Sequence, residues 1–165
     1  MEDGEQVSIA GVVRALVAPL HAPLSGQPCV VHVTHARVWS RLDFVGQLVQ
    51  ELLVTEAVEF ALVTALGELV IDARHGTVDG PRSRFTPPYH HARMHAFLAP
   101  RGLAHFAAST FAEHTVVAPG HRVGIRGTAM RERALSDGER GYRDESERFK
   151  LVGYPSRPLE IIHLG

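Results

Sequence analysis

His121-Arg122-Val123-Gly124-Ile125-Arg126-Gly127-Thr128-Ala129-Met130-Arg131 decides the class of fold. Val123, Ile125, Gly127 and Ala129 alternate with Arg122, Gly124, Arg126 and Thr128. A period of two marks a strand with one face buried and the other charged. Gly127 inside it predicts a bend or a close backbone approach, as a barrel corner requires. The Pro119-Gly120 turn precedes this strand, and Phe106 to Val117, before the turn, reads as another strand.

Working outward, strand signals recur on both sides. Val7 to Val17 is rich in β-branched residues and interrupted by Gly11, and Cys29 to Trp39 is a second strand. In the latter, Cys29, Val31 and Val33 share one face and His32 and Thr34 the other. Between them, Ala18 to Pro28 is dense in Pro and Gly, so the two strands read as a hairpin. Phe44 to Val49 fits either a strand or a short amphipathic helix running to Leu53. Val58 to Thr64 and Glu68 to Ala73 form a hairpin around Ala65-Leu66-Gly67, with Phe60, Leu62, Leu69 and Ile71 facing one core. His75 to Pro88 reads as a polar loop, and so do residues 133–147. Thr86-Pro87-Pro88 predicts a helix start, and His90, Met94, Phe97 and Leu98 fall on one helical face until Pro100 and Gly102 end it. Arg148 to Gly153 and Leu159 to Leu164 are short closing strands. Many strands around one internal helix predict a mainly β protein: a small OB-like antiparallel β-barrel, a single domain over residues 1–165.

Composition excludes several classes. The chain has 165 residues, a net charge of −1, 45% apolar and 21% charged residues, which suits a folded domain with its own core. One Cys rules out an intrachain disulfide framework and a Cys-rich zinc site. The start, Met1-Glu-Asp-Gly-Glu-Gln, is acidic where a signal peptide is basic, and Glu51, Glu56, Glu59 and Glu68 interrupt the richest apolar stretch. The expectation is a cytoplasmic protein without a membrane span. The near-neutral total hides an asymmetry, because the first 80 residues hold four basic against ten acidic side chains.

Ala22-Pro23-Leu24-Ser25-Gly26-Gln27-Pro28-Cys29-Val30 resembles the A-P-L-S-G-x-P-C-V turn of the GIDE domain, also called the beside-a-membrane (BAM) domain. Phe60 to Asp72 resembles that family's F-x-L-x-D-x-x-G-x-x-x-V hairpin, with Thr64 where Asp is frequent. Glu113 to Ala129 resembles its E-x-x-(V/L)-x-x-G-x-x-V-x-V-x-G-x-A segment, so the resemblance runs from about Val7 to the C-terminus. It implies a barrel that recognises a partner, in a bacterial, stand-alone member. The family's membrane-anchored ubiquitin ligases carry a RING finger; one Cys cannot supply its zinc ligands, so ligase activity does not carry over.

The candidate sites are few. Pro23-Leu24-Ser25-Gly26 is either a turn, whose chemistry accounts for every residue type, or a partner-binding loop at a barrel rim. Arg122 and Arg126 are candidate binding residues on the outer face of their strand, yet the surroundings lack the interleaved aromatics that single-stranded nucleic acid stacks on. His91 and His95, spaced i, i+4, are weak metal candidates without a third ligand at a matching interval. Cys29 reads as a buried, inert thiol. No G-x-S-x-G elbow, G-x-G-x-x-G or P-loop occurs. The resulting expectation is a non-enzymatic recognition module that binds a protein partner or small ligand at a barrel face or rim, with no cofactor. The alternatives are a single-strand nucleic-acid-binding OB-fold and a metal-dependent enzyme using the helix histidines.

Overall fold

In the computed structural model, which describes residues 1–41, 45–132 and 148–165, the alternating stretch forms the longest strand. In chain order the strands are β1 (Gln6–Ala15), β2 (Leu20–His21), β3 (Pro28–Cys29), β4 (Val31–Trp39), β5 (Leu48–Ala57), β6 (Phe60–Thr64) and β7 (Gly67–Asp72). Then come β8 (Gly76–Asp79), β9 (Ser83–Phe85), helix α1 (His91–Leu98), two 3-10 turns, β10 (Thr110–Val117), β11 (Arg122–Glu132), β12 (Arg148–Val152) and β13 (Leu159–His163). The chain divides into two compact units. The first comprises Met1–Ala18, Val58–Asp79 and Pro119–Gly165; the second comprises Pro19–Ala57 and Gly80–Ala118.

The first unit holds a five-stranded barrel. Its order is β1-β6-β7-β12-β11, and β11 returns to β1, with β13 and β8 continuing from β11. The barrel is mixed, not purely antiparallel: β12 runs parallel to β7, and β13 runs parallel to β8. The physical reason lies in connectivity, because both parallel pairs join strands far apart in sequence, whereas tight turns produce only antiparallel neighbours. The β6–β7 hairpin forms as expected, pairing Phe60 with Ile71 and Leu62 with Leu69. Phe60, Leu62 and Ile71 are fully buried, with Val13, Val123, Ile125, Ala129, Leu151, Leu159 and Ile161. Each large apolar side chain so buried contributes about 1.5–3 kcal/mol.

Two glycines allow strands to change partner. β1 pairs with β11 from Gln6 to Val12 and with β6 from Val12 to Ala15. Gly11 lies at that crossing, where a Cβ would stand 2.4 Å from the Val63 carbonyl oxygen. β11 pairs with β13 from Val123 to Arg126 and with β12 from Thr128 to Glu132. Gly127 lies between the two stretches, where a Cβ would stand 3.1 Å from Leu159 and 3.2 Å from the Val152 carbonyl oxygen. The close approach expected of Gly127 is present.

The second unit is a four-stranded antiparallel sheet, β5-β4-β10-β9, with α1 and the 3-10 turns. Leu24, Ala36, Val38, Phe85, Met94, Phe97, Leu98, Leu103, Ala107 and Ala112 form its core. Met94, Phe97 and Leu98 face this core as expected, whereas His90, the fourth residue of that face, precedes the helix and is half-buried. The helix begins later than Thr86, however: Pro87 to His90 make a turn, and the N-terminal position at His90 has no side-chain cap. Gly102, at φ 71°, follows the 3-10 turn Ala99–Arg101 that ends the helix.

Other expectations need correction. The strands Val7–Val17 and Cys29–Trp39 do not form a hairpin: β1 joins the barrel and β4 the second unit. The intervening stretch buries Ala22 and Leu24 and makes its own two-residue ladder, β2 with β3, around a turn, so it is a folded connection and not the loop of a β1–β4 hairpin. On β4 the His32/Thr34 side is fully buried, because Ala36 and Val38 on the same side belong to the core. The polar stretch His75–Pro88 is not a continuous loop; it contains β8 and β9, whose short strands are paired by distant partners instead of specified by local pattern. Phe106 to Ser109 is 3-10 turn, and the strand starts at Thr110. The ambiguous stretch resolves as strand from Leu48; Phe44 and residues 133–147 lie outside the described residues. Among the described residues no helix is long and apolar enough to cross a membrane.

Candidate functional site

A cavity of about 390 Å³ opens in the first unit, at the end of β7 and along the adjoining stretches of β11 and β12. Asp72, Arg74 and His75 line it from the end of β7, Met130 to Glu132 from β11, and Lys150 and Val152 to Pro155 from β12 and the chain beyond. The parallel register places Val152 beside Asp72, and Met130 lies beside Lys150 on the antiparallel side. In the cavity wall the chain is too tight for any side chain at Gly153. A Cβ there would stand 2.4 Å from the Leu159 amide nitrogen and 2.6 Å from the His75 carbonyl oxygen.

Charge is arranged around Asp72, whose side chain is 8% exposed. The Arg74 backbone N–H donates to its Oδ1 at 3.2 Å, and the Arg74 Nε donates to Oδ1 and Oδ2 at 2.9 and 3.1 Å. Arg74 Nη2 adds a bond to Oδ2 at 2.5 Å. Lys150, the only lysine in the chain, has a side chain 14% exposed; its Nζ bonds Glu59 and lies 3.7 Å from Asp72 Oδ2. Hydrogen bonds from the Arg74 side chain hold the Asp72 carboxyl below the usual carboxylate range, against burial, with the nearby charges of Arg74 and Lys150 helping. Burial pulls the Lys150 ammonium down, but Glu59 first, then Asp72 and Glu132, outweigh it and hold its pKa above the ordinary value. Lys150 is therefore a fixed cation and not a neutral amine nucleophile.

The mouth of the cavity is amphipathic. Tyr154 is 42% exposed, and its hydroxyl lies 3.2 Å from the Met130 sulfur. A two-way backbone pair between Tyr154 and Arg157 fixes that turn. The Arg74 side chain is 72% exposed even while it holds Asp72. Asp72 engages Nε and Nη2, and a guanidinium has further donors beyond those two nitrogens. The arrangement suits hydrogen bonding to an acceptor beside an apolar surface.

The residues singled out in the sequence lie elsewhere. Pro23 to Gly26 form a tight turn in the second unit. Gly26 N–H donates to the Ala22 carbonyl at 2.7 Å, Gln27 N–H donates to Ser25 Oγ at 3.2 Å, and Gly26 has φ 72°. Leu24 is fully buried among Met94, Phe97 and Leu98, so it anchors the turn to the core. Arg122 and Arg126 are exposed on β11, with Arg126 beside Glu160 of β13; neither lines the cavity. His91 and His95 are exposed on α1, their ring centroids 6.2 Å apart. Among the described residues no three metal-ligating side chains come together. Burial raises the Cys29 thiol to about 11, against a backbone hydrogen bond from Ala22, which disfavours the reactive thiolate.

Sequence reasoning missed the Asp72–Arg74–Lys150–Glu59 cluster. Its available signals were the solitary lysine and the Asp-x-Arg spacing, but the parallel pairing that joins them has no local signature. It also missed a buried histidine pair in the second unit. There His32 Nε2 lies 3.1 Å from Glu56, and His114 packs edge-on to Phe85 at 4.7 Å. His114 Nδ1 is buried without a partner among the described residues, and burial, then His32, lowers its pKa. In the same unit a concavity of about 340 Å³ is lined by residues that include His35, Arg37, Arg84, Phe111 and Glu113. Comparison of the chain with protein-family models, with curated proteins and with solved structures finds no match.

Proposed function

We propose that the chain is a cytoplasmic, non-enzymatic recognition module with an OB-like barrel of the GIDE/BAM type, binding a small ligand or a partner's side chain in the barrel cavity. The observation that carries this reading is the exposed guanidinium of Arg74, held in place by buried Asp72 and set in a cavity with Tyr154 and Met130. Preorganised donors beside an aromatic anchor are what small binding sites use for orientation and affinity. The ligand that fits presents a hydrogen-bond acceptor, such as a carboxylate or carbonyl, next to an apolar group.

Protein-observed NMR with a fragment library rich in aryl carboxylates and amides tests the reading. The expected outcome is a set of fragments that shift the Arg74, Met130 and Tyr154 resonances together, with at least tenfold weaker binding to Tyr154→Ala. Fragments that bind only elsewhere, or bind Tyr154→Ala unchanged, defeat it. The nucleic-acid alternative places its arginines on β11, where Arg126 already stands beside Glu160.

A further inference from the structure

β5 pairs with β4 from Leu48 beside Trp39 to Ala57 beside Val31, with Val49 passed over at a register shift. On its other side no strand of the described residues pairs with it. Most of its ten residues are exposed, and Leu53 is 72% exposed. A free edge of this length presents unpaired N–H and C=O groups, and proteins usually blunt such edges with lysine, proline or a bulge. β5 contains no Lys, Arg, Pro or Gly, and the one register shift, at Val38/Trp39, falls near its start.

The sequence of this edge is a palindrome in polarity. From Val49 to Ala57 it reads Val-Gln-Glu-Leu-Leu-Val-Thr-Glu-Ala, apolar and polar positions being mirrored about Leu53. We propose that β5 pairs antiparallel with β5 of a second copy of this chain, about a two-fold axis through Leu53, joining two four-stranded sheets into one.

In this register Leu53 faces Leu53 of the other copy. Leu52 faces Val54, Gln50 faces Glu56 and Glu51 faces Thr55. Every pair matches in polarity, and no carboxylate stands opposite or diagonal to another. Leu52 and Val54 already pack against the core of the second unit, so their pairing extends that core across the axis. The acids are occupied on their own chain: Arg37 Nε donates to Glu51 at 3.1 Å, and His32 lies 3.1 Å from Glu56. Other registers fail. Centring on Leu52 sets Leu53 against Glu51 and Leu48 against Glu56. Centring on Val54 sets Leu52 against Glu56. Centring on Glu51 opposes two carboxylates. A one-residue slip places side chains on opposite faces. The isologous contact closes on itself and consumes the free edge of both copies.

Sedimentation equilibrium over a concentration series tests the proposal. The native protein should approach twice its 18.1 kDa chain mass as concentration rises. Leu53→Lys sets two ammonium groups against each other and should give a monomer. Its circular dichroism and Trp39 emission should be unchanged, because Leu53 is exposed. Leu53→Cys tests the register. Opposed residues of an antiparallel ladder have Cα atoms about 4.5–5.5 Å apart, within disulfide reach. This variant should cross-link rapidly on mild oxidation, while Thr55→Cys, opposite Glu51, should not. Cys29 is buried and stays out of the reaction. A native protein that remains monomeric at the highest concentration overturns the proposal, even if an extended peptide from another protein binds the edge. A dimer that survives Leu53→Lys, or equal cross-linking through Thr55→Cys, overturns it as well.

Discussion

In the barrel, β1 leans on β11 and then on β6, so the ring closes; in the four-stranded sheet, β5 leans on β4 alone. Both units use β-branched, alternating strands, so composition does not separate them. Glycine does. Gly11 and Gly127 stand where barrel strands change partner and the backbones approach too closely for a Cβ. β5 has no glycine and keeps one partner throughout. Closure removes an edge at the cost of close backbone contacts, whereas an open sheet keeps ordinary spacing and an edge to be managed.

Substitutions at close backbone contacts should therefore hurt the barrel most. Gly153→Ala forces a methyl group against two backbone atoms, and the expected loss is about 3 kcal/mol or more. Far-UV circular dichroism in denaturant measures it. Trp39, the only tryptophan, lies on β4 and reports the second unit. The contrast between units predicts a smaller shift in the Trp39 transition than in the ellipticity. If the two transitions move together, the units melt as one body and the contrast fails.

A smaller effect is expected from Asp72→Asn. It removes the charge and one of the two acceptor oxygens that orient Arg74, but Arg74 is exposed and Lys150 retains Glu59. The expected cost is about 1–2 kcal/mol, less than a fully buried pair would lose. Fragment binding at the cavity should weaken more than stability does. Unchanged binding would detach Asp72 from the site.

The smallest effect is a shared pH dependence. His114 in the second unit and His121 in the first both have lowered pKa values, through burial first and then a neighbouring histidine, His32 and His163 respectively. The unfolded chain takes up these protons near the ordinary histidine value of 6.5, before the folded chain does. Stability is then level above that pH and falls as pH drops below it, until the folded groups also titrate. The Asp72 contribution has a separate window, being lost only when the pH falls below the ordinary carboxylate range. His114→Gln should flatten the mildly acidic slope in the Trp39 transition and leave the barrel's slope in place. A slope that persists in the Trp39 transition assigns the effect elsewhere.

The parts that were legible in the sequence share a physical cause. The alternation of β11, the β6–β7 turn and the Met94/Phe97/Leu98 helix face are local, so periodicity and turn chemistry report them. The parallel pairing of β12 with β7 is not local, since Lys150 meets Val70 across a long stretch of chain. The short strands β8 and β9 exist because distant partners reach them, and their own residues read as loop. The hairpin expected between Val7–Val17 and Cys29–Trp39 failed because two good strands joined by Pro and Gly carry no mark of the unit each will join. The cavity beside β7 was hidden for the same reason: Asp72, Arg74 and Lys150 become neighbours only through that pairing.

The crossings of the chain between the two units set an order of events during synthesis. β1 is made first, but its long partner, β11, begins only at Arg122. The β4–β5 pair, by contrast, is complete once Ala57 has been added. A ribosome therefore releases both strands of the β4–β5 ladder before it releases the main partner of β1. Until Arg122 to Thr128 are made, Gln6–Val12 waits without its β11 partner, and it is there that a chaperone has a long opportunity to hold the nascent chain.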